Sequence, residues 1–184
     1  MAFETYRALI AELADRQGYD AAVLAAQIWQ ESRFNPVAVS PAGAGGIMQF
    51  MPGTWAWAQQ QGWIPAGSRR EDPAMCIQAG IRYMKWLLDR YKGAADPLAL
   101  ALAGYNAGQG NVDKAIQKAQ RTDWEGLKAF LPAETQAYVP AILARVATYR
   151  AIYGATKAAV KVAIPGLGIG LIVLALAMLL RRLP

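Results

Sequence analysis

The sequence predicts a mainly α-helical domain followed by one apolar C-terminal helix, and three observations carry that expectation. Apolar side chains recur at three- and four-residue spacing through most of the first 155 residues, with no sustained alternation of the kind strands require. Asp-Pro pairs, Asp72-Pro73 and Asp96-Pro97, stand where helices should start. The run from Val162 to Leu180 holds no charged residue. A chain of 184 residues accommodates one domain with a real core and a modest appendage, divided here as 1–155 and 156–184.

Taken in order, Phe3, Tyr6, Leu9, Ile10 and Leu13 lie at helical spacing and predict a first helix ending near Gly18. Asp20 suits the cap of a second, because its carboxylate can accept from the free N–H groups of a first turn. That helix is expected from Ala21 to about Phe34, where Asn35-Pro36 stops it. Residues 37–46 are rich in Pro, Ala, Gly and Ser and read as loop. Asp72-Pro73 opens a helix carrying Ile77, Ile81, Met84, Leu87 and Leu88 on one side, and Asp96-Pro97 repeats the signal ahead of Leu98 to Asn106. A last long helix is expected from about Glu134 to Tyr153. At about 1.5 Å per residue, the uncharged run would cross roughly 28 Å, so residues 162–180 read as a transmembrane helix in lipid. Gly166 and Gly170 form a small-xxx-small pair through which two tails could associate; with Pro165 they equally suit a flexible membrane entry. Basic residues at both ends leave its orientation open.

Composition excludes several chemistries. The chain has no histidine, which removes Ser–His and Cys–His catalysis, most zinc sites and any imidazole base. Proton transfer then falls to Glu, Asp, Tyr, Lys or Cys. Neither a cofactor nor a metal is expected. Cys76 is the only cysteine and reads as a small buried apolar side chain. Of the net charge of +6, Lys157, Lys161, Arg181 and Arg182 supply four, with no acid beside them, which leaves residues 1–156 at +2. Basic residues there suit lipid headgroups, and so weak a charge on the domain gives no nucleic-acid footprint. The start, Met1-Ala2-Phe3-Glu4-Thr5-Tyr6-Arg7, has an early acid and no continuous apolar stretch, so it does not read as a secretory signal.

Glu31 is the candidate reactive group. It follows Leu24 and Ile28 on one helix face, near the helix's C-terminal end, where desolvation and the helix dipole should raise its pKa. A carboxylic acid still protonated near neutral pH is what glycosidic cleavage asks of its general acid; an exposed glutamate paired with Arg33 or a lysine is the plainer alternative. Gly43, Gly45 and Gly46 allow backbone to approach a bulky chain. Gln49 and Asn106 offer amides for hydroxyl and N-acetyl groups, and Tyr105 and Tyr138 offer ring faces with a polar tip. No strand precedes the glycines and no Lys-Ser/Thr follows them, so a phosphate-binding loop does not fit.

The string Glu31-Ser32-Arg33-Phe34-Asn35-Pro36, then Ser40-Pro41-Ala42-Gly43-Ala44-Gly45-Gly46-Ile47-Met48-Gln49-Phe50-Met51-Pro52, resembles the soluble lytic transglycosylases, relatives of goose-type lysozymes. Gly104-Tyr105-Asn106-Ala107-Gly108-Gln109-Gly110 and Glu134-Thr135-Gln136-Ala137-Tyr138-Val139 match that family's two later motifs, so the resemblance covers about residues 15–153. It implies a lysozyme-like helical domain that cleaves peptidoglycan glycan strands between N-acetylmuramic acid and N-acetylglucosamine. In that reading Glu31 is the acid/base, Ser40, Met48 and Gln49 line the groove, Tyr105 and Asn106 contact sugar, and Glu134 and Tyr138 face the same cleft. It also implies closure of the product as a 1,6-anhydro ring, without an aspartate nucleophile. Ile47 and Gly104 stand where leucine and alanine are more usual. Glu134 is equally suited to capping the last helix. With a C-terminal anchor, the chain resembles wall-penetrating enzymes of membrane-containing bacteriophages, which places it in a virion membrane. A bacterial inner-membrane enzyme of a secretion or conjugation apparatus, or a silent wall-binding module, are the other readings.

Overall fold

The computed structural model describes the backbone of residues 2–161 and the side chains of residues 2–155. The regular elements among the described residues are all helices, with two isolated β-bridges in one loop. The chain divides into two units, residues 1–149 and 150–184. The proposed membrane-spanning run, 162–180, lies outside the described residues. Among the described residues no helix is long and apolar enough to cross a membrane.

Helix α1 (Ala2–Arg16) packs on α2 (Ala21–Ser32) and on α4 (Pro73–Arg90). Asp20 caps α2 as expected, its Oδ1 accepting from Ala22 N at 2.8 Å and Val23 N at 3.4 Å. The helix stops earlier than expected. Arg33 and Phe34 take left-handed φ of 53° and 66° before Asn35-Pro36 is reached. That turn swings Phe34 into the core, 5.4 Å from the Phe3 ring and 6.3 Å from that of Tyr149; burial of an aromatic ring offsets the backbone strain.

Asp72 caps α4 in the same way, accepting from Ala74 N at 2.9 Å and Met75 N at 3.1 Å. Asp96 does not cap the helix it precedes, α5 (Pro97–Ala107). Its carboxylate instead accepts from Trp124 N at 2.8 Å and ties down α7 (Trp124–Leu127). Ala99 through Gly104 of α5 are all buried, so α5 is apolar all round and forms the centre of the domain between α4 and α6 (Gln109–Ala119). Gly104 belongs to that contact: a Cβ there would lie 2.9 Å from Leu87 Cδ2 on α4, so α5 is seated at a spacing glycine permits.

Helices α3 (Pro52–Gln60), α6 and α7 go beyond the elements expected from sequence. After α7 comes a 3-10 turn, Lys128–Phe130, and then α8 (Ala133–Lys161), which starts one residue before the expected Glu134 and carries Pro140 within it. Between α2 and α3 the loop folds on itself. Gly45 and Phe50 exchange backbone bonds at 2.9 Å, and Ser40 N donates to Ala44 O at 2.9 Å. Arg70, arriving from the α3–α4 connection, donates from one nitrogen to Gly43 O and Phe50 O, each at 2.8 Å. Gly46 at the loop's inner turn has φ +82°, and a Cβ on it would fall 2.1 Å from Arg70 O. Only glycine fits there. Cys76 is buried as expected, and burial pushes its thiol up to about 12, leaving it inert.

Candidate active site

The α2 terminus, the folded loop, the end of α5 and the start of α8 enclose a cleft of about 830 Å³. Glu31, Ser40, Gln49, Tyr105, Asn106, Glu134 and Tyr138 all line it. Met48 does not: its side chain is fully buried, against the position of Gly80, and only its carbonyl serves the site. The groove-lining place expected for Met48 is thus taken by main chain, because the loop turns that side chain inward.

Glu31 is half-buried, opening only toward the cleft. Burial raises its carboxyl from the ordinary 4.5 to about 8; the Tyr138 hydroxyl pulls it down and the nearby Glu134 carboxylate pushes it further up. The Tyr138 hydroxyl donates directly to Glu31 Oε1. Gln27 Nε2 in turn donates to the Tyr138 oxygen at 3.3 Å, which leaves the tyrosine proton to Glu31. Gln27 is fully buried one helical turn before Glu31 and was not singled out from sequence. An amide interrupting the Leu24–Ile28–Glu31 face was the available signal. Burial, and next the Glu31 charge, hold the Tyr105 and Tyr138 hydroxyls well above the usual tyrosine range, so both act as neutral donors.

Several expected sugar-facing groups are partly engaged by the protein itself. Tyr105 donates to Met48 O at 2.8 Å, which fastens the α5 end to the loop. Gln49, at a left-handed φ of 50°, donates from Nε2 to Ala38 O at 3.0 Å and Gly46 O at 2.9 Å, leaving its carbonyl oxygen for a ligand. Ser40 Oγ accepts from Ala44 N at 3.0 Å. Asn106 clamps α8: its Nδ2 donates to Glu134 Oε1 at 3.1 Å, and its Oδ1 accepts from Thr135 at 2.6 Å. Glu134 therefore sits in the first turn of α8 with its carboxylate toward Asn106 and does not cap the helix.

At the other end of the cleft, Arg145 lies over the Trp29 ring at 3.6 Å and donates to Ala141 O at 2.7 Å. Neither residue was anticipated, although 134, 138, 141 and 145 recur at helical spacing on one face of α8. Among the described residues no group of three or more His, Cys, Asp or Glu is arranged to hold a metal.

The Transglycosylase SLT domain profile matches residues 8–126. This chain belongs to the SLT transglycosylase family. Five lining residues of the cleft, Glu134, Ala137, Tyr138, Ala141 and Arg145, lie beyond the stretch that the SLT profile matches. The chain is 38% identical over 135 residues to a membrane-bound lytic murein transglycosylase F of Desulfosudis oleivorans, covering 69% of this chain and 28% of that protein. It is 35% identical over 130 residues to the soluble lytic murein transglycosylase of Escherichia coli K12, covering 68% and 20%. It thus spans about a quarter of the length of the curated relatives it matches. Among solved structures, the lytic transglycosylase Slt of Pseudomonas aeruginosa, in an inactive variant, superposes with a TM-score of 0.71 at 28% identity, over 82% of this chain and 24% of that one. The SLT likeness agrees with the mainly helical, lysozyme-like domain expected from the motifs.

Proposed function

We propose that this SLT domain cleaves the glycan strands of peptidoglycan between N-acetylmuramic acid and N-acetylglucosamine by lytic transglycosylation. The observation that carries the reading is the Glu31 carboxyl, desolvated at the wall of a cleft of about 830 Å³ and hydrogen-bonded by Tyr138, an environment that raises its pKa to about 8 and favours the protonated form at neutral pH. Glu31 gives its proton to the bridging oxygen as the C1–O bond breaks. The carbonyl oxygen of the substrate's N-acetyl group shares the charge that develops at C1. Glu31, now a carboxylate steadied by the Tyr138 hydroxyl, takes the proton of the C6 hydroxyl, and O6 closes on C1 as a 1,6-anhydro ring. Glu134, fixed by Asn106, lifts the Glu31 pKa by its charge and is the second carboxylate of the cleft. Mass spectrometry of digested sacculi tests the chemistry: anhydro ends are expected, whereas reducing ends would mean that water enters and Glu134 or another base activates it.

Tyr138→Phe provides a second test. Loss of the hydroxyl removes the one influence that lowers the Glu31 pKa, so the alkaline limb of the kcat/KM profile should move to higher pH, while the rate falls because the carboxylate is less well held. A profile unmoved by the substitution would take Tyr138 out of the proton chemistry.

The domain is further proposed to act tethered to a membrane through residues 162–180. The uncharged sequence of that run supports this, as do relatives described as membrane-bound. Delivery within a virion membrane is the setting we favour for such a tether. Detection of the protein in purified virions, against detection in cell envelopes alone, decides between the two.

A further inference from the structure

We propose that Gln27 is a positioning residue of the reaction: its side-chain amide fixes the direction of the Tyr138 hydroxyl and so dictates which oxygen of Glu31 carries the transferable proton. This rests on the function proposed above. The three side chains form one line, Gln27 Nε2 donating to Tyr138 Oη at 3.3 Å and Tyr138 Oη donating to Glu31 Oε1. A hydroxyl has one proton to give. With the amide N–H already addressing its oxygen, Tyr138 keeps that proton on the Glu31 side. Oε1 is then an acceptor, and the carboxyl's own proton is confined to Oε2, the oxygen that Tyr138 does not address and that is free to serve the glycosidic oxygen. Without the amide, Tyr138 is free to turn and accept from Glu31, which would store the proton on Oε1, away from the scissile bond. The same polarity serves the second half of the reaction, because the carboxylate left behind already has its donor.

Packing gives no reason for a glutamine at this place. Gln27 is fully buried on α2 beside Ala25, Ala26 and Ile28, where an apolar side chain would fit as well. Its Oε1 is buried and finds no hydrogen-bond partner among the described residues. That end of the amide is a cost, offset only by what the Nε2 end does for Tyr138. The other titratable groups around the line are Glu134 from α8, Tyr105 from α5, Cys76 from α4 and Tyr19 just before α2, which act on it through charge and not through a hydrogen bond. The arginines of the cleft, Arg33 and Arg145, are held over the Trp29 ring.

The experiment is a double-mutant cycle in the full chain, Gln27→Met and Tyr138→Phe singly and together, with cleavage of isolated glycan strands followed against pH. Methionine keeps the length of the side chain and offers no donor. Gln27→Met should lower kcat about tenfold, the worth of one hydrogen bond, with KM unchanged. It should also move the alkaline limb of kcat/KM to higher pH, since the hydroxyl that lowers the Glu31 pKa is no longer committed to it. Added to Tyr138→Phe, the same substitution should change neither rate nor limb. An equal loss of rate in both backgrounds, with the limb unmoved, would make Gln27 a packing residue and overturn the inference. If Gln27→Met does not fold, the native chain answers by NMR with nitrogen-15 in its glutamine side chains. Gln27 is the only fully buried glutamine among the described residues, so its amide is the one slowest to exchange with deuterated solvent. That signal should titrate with Glu31, near pH 8, and stand still in Glu31→Gln; a signal that does not move in the native chain overturns the inference alone. A native chain that releases no anhydro ends overturns the proposed function, and the inference with it.

Discussion

Glu31→Gln is expected to abolish strand cleavage and yet give a protein that melts at a higher temperature than the native chain above about pH 8. The loss of activity should be at least about a thousandfold, since the amide can neither give nor reclaim a proton. The gain in stability follows from the raised pKa. In the unfolded chain the carboxyl ionises near 4.5, and in the fold near 8. Its contribution to stability is therefore complete below about pH 4.5 and is lost as pH rises through 8, where the fold must carry a desolvated charge. Glutamine keeps the acceptor that Tyr138 addresses and carries no charge. Each pKa unit is worth about 1.4 kcal/mol, discounted because Glu31 keeps a face toward cleft water, so the gain at about pH 9 is on the order of 2 kcal/mol. Calorimetry of both proteins at about pH 5 and pH 9 measures it. Equal melting temperatures at both pH values would mean that Glu31 is not desolvated, and residual cleavage near the native rate would remove it from the chemistry.

Gly46→Ala should give the largest loss of stability of any single methyl added to the cleft wall. The new Cβ would lie 2.1 Å from the Arg70 carbonyl oxygen and 2.9 Å from its carbon, both main-chain atoms that cannot rotate away, at a φ of +82° that alanine resists. Strain and overpacking together cost about 3 kcal/mol, or roughly 6–12 °C in Tm for a domain of this size. Activity should fall as well, because Gln49 is bound to Gly46 O and would shift with it. Gly43→Ala is the control. Its φ is +85° with nothing within 4 Å, so only the backbone cost of about 1 kcal/mol remains. If the two substitutions lowered Tm equally, the contact with Arg70 would carry no weight.

The parts of the fold legible in sequence were those whose signals are local. Asp20 and Asp72 are capping residues whose geometry is complete within three residues, and both cap as read. Asp96 has the same local pattern, but its carboxylate is used 28 residues away at Trp124, a choice that only the tertiary structure makes. The end of α2 was misplaced for a similar reason: a core position for Phe34, between Phe3 and Tyr149, outweighs the helical preference of its own turn. Helices α3 and α6 carried readable signs, Pro52 at a first position and Val112 with Ala115 on one face.

In the cleft, the residues before Glu31 pointed to an elevated pKa, whereas the second carboxylate was placed there only by the motif it belongs to. Glu134 lies about a hundred residues on and reaches the cleft only because Asn106 and Thr135 join α5 to α8. Met48 was misread because a loop has no period from which to tell an inward side chain from an outward one.

Arg70 holds the cleft's folded loop through two main-chain oxygens, those of Gly43 and Phe50. Such a grip is blind to which side chains the loop displays. Outward positions such as Ala42 and Ala44 are therefore free to be exchanged when a groove is retuned for a different wall chemistry, whereas the guanidinium that closes the loop from outside is not.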